Sequence, residues 1–218
     1  MRPACLLVAA GVALSGQTAV AADLVAIVEE VQGSVKPLEP FTFLVAGTEI
    51  RLPPDVTLVL GYLRSCTLET ITGGHVVVGT DESLVDGGSL LRETVECDGG
   101  RLQLTPAQAM ASGVMPVRKL PKPAGSPLRV YGASPIFVLA VAGQLRIERI
   151  DAPDEPLEFA VDGAPGTLVL LNLDRRHVSL APDATYRASS GDRQRVFTIA
   201  RSAKPGPEPA VSRLVPLE

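Results

Sequence analysis

The chain has 218 residues, 24 acidic against 20 basic side chains and a net charge of −4, with 46% hydrophobic but only 4% aromatic residues and no tryptophan. That acidic, aromatic-poor balance excludes nucleic acid as a partner, because such binding needs a basic face or stacking rings. Twenty glycines and 19 prolines, with no long helical periodicity, point to short strands joined by turns and hence to an all-β fold.

In chain order, the first feature is Arg2, followed by an apolar run from Cys5 to Leu14 and small residues from Ala19 to Ala22. That order predicts a secretory signal peptide over residues 1–22, with an apolar part too short to span a bilayer. No later run reaches eighteen apolar residues; the longest, IFVLAVA from Ile136, has the length of a buried strand. The expected product is periplasmic or secreted, with no membrane span after signal cleavage. Cys66 and Cys97 are then the only thiols, and an even pair in an oxidising compartment predicts a disulfide. Closing a loop of about 32 residues would stabilise the fold by roughly 3 to 4 kcal/mol on the chain-entropy model.

The first domain is expected over residues 23–117. Its strand candidates are LVAIVEEV from Leu24, VTLVLGYL from Val56, TLETI from Thr67, HVVVG from His75 and RLQL from Arg101. Gln32-Gly33, Pro53-Pro54-Asp55, Gly73-Gly74, Asp86-Gly87-Gly88 and Asp98-Gly99-Gly100 supply the turns, and Gly73-Gly74 reads as the crossing of a hairpin. Two helical turns are predicted over Thr105–Gly113, capped by Thr105 with Pro106 at the first helical position. Residues 118–127, with three prolines and no periodicity, form an expected extended linker.

A second domain is expected over residues 128–203, as a β-sandwich built from PLRVYG, IFVLAVA, QLRIERI, LEFAV, TLVLLNL, HVSL, TYRAS and RVFTIA. Leu145 and Ile147 alternate with Arg146 and Glu148, the pattern of a strand with one dry and one wet face, whereas IFVLAVA lacks alternation and should be central. Residues 204–218, rich in proline, are expected to form a flexible tail. From Asp23 to Val117 there are thirteen acidic and five basic residues, net −8; from Arg118 onward eleven acidic and fourteen basic, net +3. The halves attract each other or attract different partners.

Several constellations bear on chemistry. Cys66 and His75 could serve a cysteine hydrolase, but that needs a free thiolate and an orienting third group, and a disulfide sulfur is no nucleophile. Cys66, His75, Cys97 and His177 offer the right ligand types for zinc without the close paired spacings that mark a site. Glu29-Glu30 and Asp81-Glu82 are neighbours along the chain, which in a strand point to opposite faces and cannot share a substrate. The Asp-Gly-Gly turns lack the remaining ligands of a calcium loop. Asp174-Arg175-Arg176-His177 is the most concentrated basic feature; its arginine forks suit a carboxylate or phosphate, and equally a charged hairpin tip. No catalytic residues, metal site or cofactor are assigned.

AIVEEVQGSV followed by LVAGTEIRLPPDVTLVLGYL, within Ala26 to Gly79, resembles the periplasmic FecR-type domain. The resemblance implies a small β-domain, a meander or barrel, that acts through protein contacts and carries no catalytic residues. This chain has Arg64-Ser65-Cys66 where the family commonly places an Asp-Gly-Ser turn, and it lacks the transmembrane helix of the inward-signalling regulators. The expected function is therefore non-catalytic binding or scaffolding in a bacterial cell envelope. Its partner would be an envelope protein or polymer, with anionic glycan or peptide binding at Arg175 and Arg176 as the alternative.

Overall fold

The structure, a computed structural model, describes residues 24–102, 127–140, 142–152, 155–164, 168–206 and 208–217. The expected signal peptide, the helix over 105–113 and all of the linker except Pro127 lie outside the described residues.

Six strands of the first half form one antiparallel sheet: β1 (Leu24–Gln32), β2 (Phe43–Val45), β3 (Glu49–Tyr62), β4 (Thr67–Val78), β5 (Ser83–Asp86) and β6 (Ser89–Thr94). The order is β2-β1-β3-β4, and β5 and β6 lie end to end along the outer side of β4. Gly73-Gly74 does not turn the chain between two strands as the sequence suggested. TLETI and HVVVG are one continuous strand, with the two glycines inside it at φ 64° and 88°. Glu69 and Ile71 face inward before them and Val76 and Val78 after them, so the glycines switch which set of residues is buried. A Cβ on Gly74 would lie 2.5 Å from the Asp86 carbonyl oxygen and 2.6 Å from the Gly88 nitrogen, so the close crossing of Gly73-Gly74 and Gly87-Gly88 admits only glycine at that position. Opposite, Pro53-Pro54-Asp55 bulges out of β3 between the pairs Leu52↔Gly74 and Thr57↔Thr72. Bulges of this kind bend and twist a sheet. RLQL is not a strand where it is described, since Gly99–Leu102 forms a 3₁₀ turn.

The second half is built from β7 (Leu128–Val130), β8 (Ile136–Leu139), β9 (Gly143–Arg149), β10 (Leu157–Val161), β11 (Val169–Asn172), β12 (Thr185–Ser190), β13 (Arg193–Ile199) and β14 (Leu214–Pro216). They make two sheets, β10-β9-β12-β13-β7 and β11-β8-β14. Phe137 of β8 meets Phe197 of β13 edge to face at 5.7 Å, and Tyr186 of β12 stacks on Phe197 at 5.7 Å, so side chains of both sheets meet in one sandwich core. Leu145 and Ile147 face that core and Arg146 faces solvent. Every residue of β8 is buried, and it is the central strand of its sheet. HVSL forms no strand: His177, at φ 56°, ends a 3₁₀ turn over Asp174–Arg176.

The largest departure is at the C-terminal end, where a flexible tail was expected. Residues 210–217 are buried, first in a one-turn helix α1 (Ala210–Arg213) and then in β14, which pairs in parallel with β8. Two hydrophobic cores result. One lies within the first sheet, around Val28, Leu58, Leu60, Tyr62 and Ile71. The other gathers the sandwich together with Leu24, Ile27, Leu63 and Leu102 of the first half. The first five residues of β1 are all buried because the strand runs between the two cores.

Candidate ligand cleft and sheet edge

Cys66 and Cys97 are joined as a disulfide, with Cα atoms 5.6 Å apart. His75 lies on the same extended strand that leaves Cys66, at a distance of roughly 30 Å for nine extended residues. Its Nε2 is 3.4 Å from Glu49 Oε2 across the β3–β4 ladder. The hydrolase dyad is therefore not assembled. Cys66 and Cys97 are committed to each other, and among the described residues no group of three His, Cys, Asp or Glu side chains gathers as metal ligands would.

Under the turn that joins β4 to β5 lies a buried polar cluster that sequence reasoning missed. The Glu69 carboxylate is fully buried and accepts from the Ser83 N–H at 3.0 and 3.2 Å and from Arg92 Nε at 2.8 Å. Arg92 Nη2 donates to the Ser83 carbonyl at 2.5 Å, and Tyr62 and Ser83 share a hydroxyl–hydroxyl hydrogen bond of 2.6 Å. Burial pushes the Tyr62 phenol up to about 12, with the Glu69 charge adding to the rise against the opposing Ser83 hydrogen bond. Asp81, one of the paired carboxylates of the sequence, accepts from Nε and Nη2 of Arg64 through both its oxygens, and its carbonyl accepts from Ser65 Oγ at 2.6 Å. Arg64 holds the exposed Asp81 carboxyl below its ordinary range. Each buried polar group here has a partner, which makes the cluster a brace for the turn and leaves no open position for a substrate.

Arg175 and Arg176 are exposed on the 3₁₀ turn that follows β11. Arg175 reaches back to the first half: its guanidinium carbon stands 5.1 Å from the centre of the Phe41 ring. Beside this contact is an open cleft of about 310 Å³, lined by Glu39, Phe41 and Thr42 from the first half and by Ile136, Leu168, Leu170, Asn172 and Arg175 from the second. Phe41 has φ 70°, a conformation rare for a bulky side chain and costing on the order of 1–3 kcal/mol. Hydrogen bonds fix it there, from the Phe41 N–H to the Val28 carbonyl at 2.6 Å and from the Thr42 N–H to the Glu39 carbonyl at 3.1 Å. Asn172 Oδ1 accepts from the Asp174 N–H at 3.0 Å, which leaves the Asn172 amide nitrogen as a donor at the cleft. Of these residues the sequence had singled out only Arg175. The rest come from distant segments, and the only local signal was an aromatic residue set between proline and threonine in EPFT.

The second exposed feature is the outer edge of the first sheet. All but one residue of β6 is exposed, and Leu84 and Leu91 are 72% and 58% exposed. Edge strands present unpaired backbone groups, and exposed leucines on one provide an apolar contact. Among the described residues no helix is long and apolar enough to cross a membrane. Compared with known proteins, the chain matches no family model, no curated protein and no solved structure.

Proposed function

We propose that this chain is an exported, non-catalytic binding or scaffolding protein of a bacterial cell envelope, acting through protein–protein contacts. The observation that carries this reading is the β5–β6 edge, where Leu84 and Leu91 stand in solvent on two strands that are each held to β4 on their other side. An extended segment of a partner can add to such an edge through backbone hydrogen bonds, with the leucines supplying side-chain contacts. The FecR-type likeness, the signal-like N-terminus and the disulfide agree with a periplasmic or secreted setting. The Leu84→Glu/Leu91→Glu variant tests it. The folded variant, with its disulfide intact, should lose the partners that the unaltered protein captures from periplasmic extract; retention of the same partners overturns the reading.

A second reading, binding of an anionic group at Arg175, is favoured by a separate observation. Among the described residues no carboxylate pairs with Arg175 or Arg176, and Arg175 borders a cleft with an apolar floor. An arginine fork poised in that way suits a carboxylate or phosphate.

A further inference from the structure

We propose that the cleft between the halves takes a small zwitterion with an apolar body, for which an apolar α-amino acid is the minimal case. This rests on the reading that Arg175 receives an anion, and it adds a second charge and a size. The cleft has one acid and one base in its lining, Glu39 and Arg175. The two are not ion-paired with each other, and among the described residues Glu39 has no cationic partner. A ligand with only a carboxylate would satisfy Arg175 while bringing a like charge to Glu39, and a ligand with only an ammonium would do the reverse. A molecule carrying both satisfies both.

Size and floor narrow the class further. A volume of about 310 Å³ is at the small end for ligand sites, which suits a single compact molecule better than a polymer chain. Ile136, Leu168, Leu170 and the Phe41 ring supply the apolar surface against which a branched or aromatic side chain can lie. Thr42 and the amide nitrogen of Asn172 add neutral donors to the lining, which a carboxylate can also use. The left-handed Phe41 backbone is a local strain held by hydrogen bonds to β1 and within its own loop, and it keeps Phe41 in the lining of the cleft.

Calorimetric titration of the full chain with L-phenylalanine, L-leucine, N-acetyl-L-phenylalanine and L-phenylalaninamide tests the proposal. The two amino acids should bind, and loss of either ligand charge should weaken binding about tenfold, the scale of one charge-assisted hydrogen bond. Arg175→Ala should weaken the amino acids and the N-acetyl compound alike by about tenfold, with Arg175→Lys between it and the parent. Glu39→Gln should weaken only the ligands that carry an ammonium. Both side chains are exposed, so the circular dichroism of the variants should match that of the parent. If N-acetyl-phenylalanine binds as tightly as phenylalanine and Glu39→Gln is silent, the zwitterion inference falls while the anion reading stands. If no ligand binds, or Arg175→Ala changes nothing, both fall.

Discussion

In the first core the buried Glu69 carboxylate is met by a backbone N–H and a guanidinium, while in the second the buried Arg213 donates one hydrogen bond of 3.0 Å, to the Ser134 carbonyl, and its Nε has no partner among the described residues. Burial lowers the Arg213 pKa, an effect opposed by Asp174, Glu29 and Glu208 acting through space. The first core is drawn from one continuous stretch of chain and closed around a satisfied polar cluster. The second is drawn from Leu24 at one end to Leu217 at the other. A core closed by the last segment of the chain depends on that segment, and a core built within one sheet does not.

Removal of residues 208–218 should unfold the second core and leave the first in place. Val211, Leu214, Val215 and Leu217 are each 2% exposed or less. Burial of side chains of this size contributes roughly 1.5–3 kcal/mol each, so about 6–12 kcal/mol of gross stabilisation is lost. That is comparable to the whole stability of roughly 5–15 kcal/mol typical of a domain. Urea denaturation should show the sandwich unfolded, and loss of the near-ultraviolet signal of the Tyr186–Phe197 stack should accompany it. A truncated chain that keeps its urea midpoint would mean that the closing segment only decorates the second core.

Glu69→Ala should be the next largest perturbation, and it should act on the first core. It removes the acceptor for the buried Ser83 N–H and the main partner of Arg92, whose guanidinium reaches in from the exposed β6 edge. Loss of a charge-assisted hydrogen bond together with a buried N–H left unpaired costs about 2–4 kcal/mol. In the same variant the Tyr62 phenol, relieved of a neighbouring negative charge, should titrate below its parent value of about 12. Spectrophotometric titration reads this directly, since Tyr62 is one of only three tyrosines. An unchanged phenol titration would remove Glu69 from the cluster.

The same contrast governs what the sequence made legible. Strands such as β9 and β12 alternate dry and wet residues and could be placed from pattern alone, and the bond between Cys66 and Cys97 followed from their being the only thiols outside the expected signal peptide. Gly73-Gly74 misled because a primed hairpin turn and an in-strand kink both require positive φ, and only the neighbouring Gly87-Gly88 distinguishes the kink. The closing segment was hidden by Pro205, Pro207 and Pro209 and by the shortness of α1 and β14, which leave no period to detect. Arg175 stood out as a charge cluster, but its cleft depends on Glu39, Phe41 and Ile136 arriving from elsewhere, which no local pattern encodes.

Where the two cores meet, Glu29 supplies the finest test. It sits at a bulge in β1, between the pairs Val28↔Leu60 and Glu30↔Val59, and its carboxylate accepts from the N–H groups of Ala210 at 2.5 Å and Val211 at 2.9 Å. Burial raises its pKa, against the opposing pull of those two N–H groups and of Arg213. The folded state therefore keeps the Glu29 proton over a range of pH in which the unfolded chain has already released it. Its contribution to stability is most favourable below the ordinary glutamate value and declines as pH rises from there through the raised folded value. In Glu29→Gln that decline should vanish from the pH dependence of the urea midpoint. The amide can accept from only one of the two N–H groups, so the variant should also lose about 1–3 kcal/mol and expose the amides of Ala210 and Val211 to faster hydrogen exchange. An unaltered pH slope with unaltered exchange would place the attachment of the closing segment in its apolar side chains alone, and Glu29 would then have no part in joining the two cores.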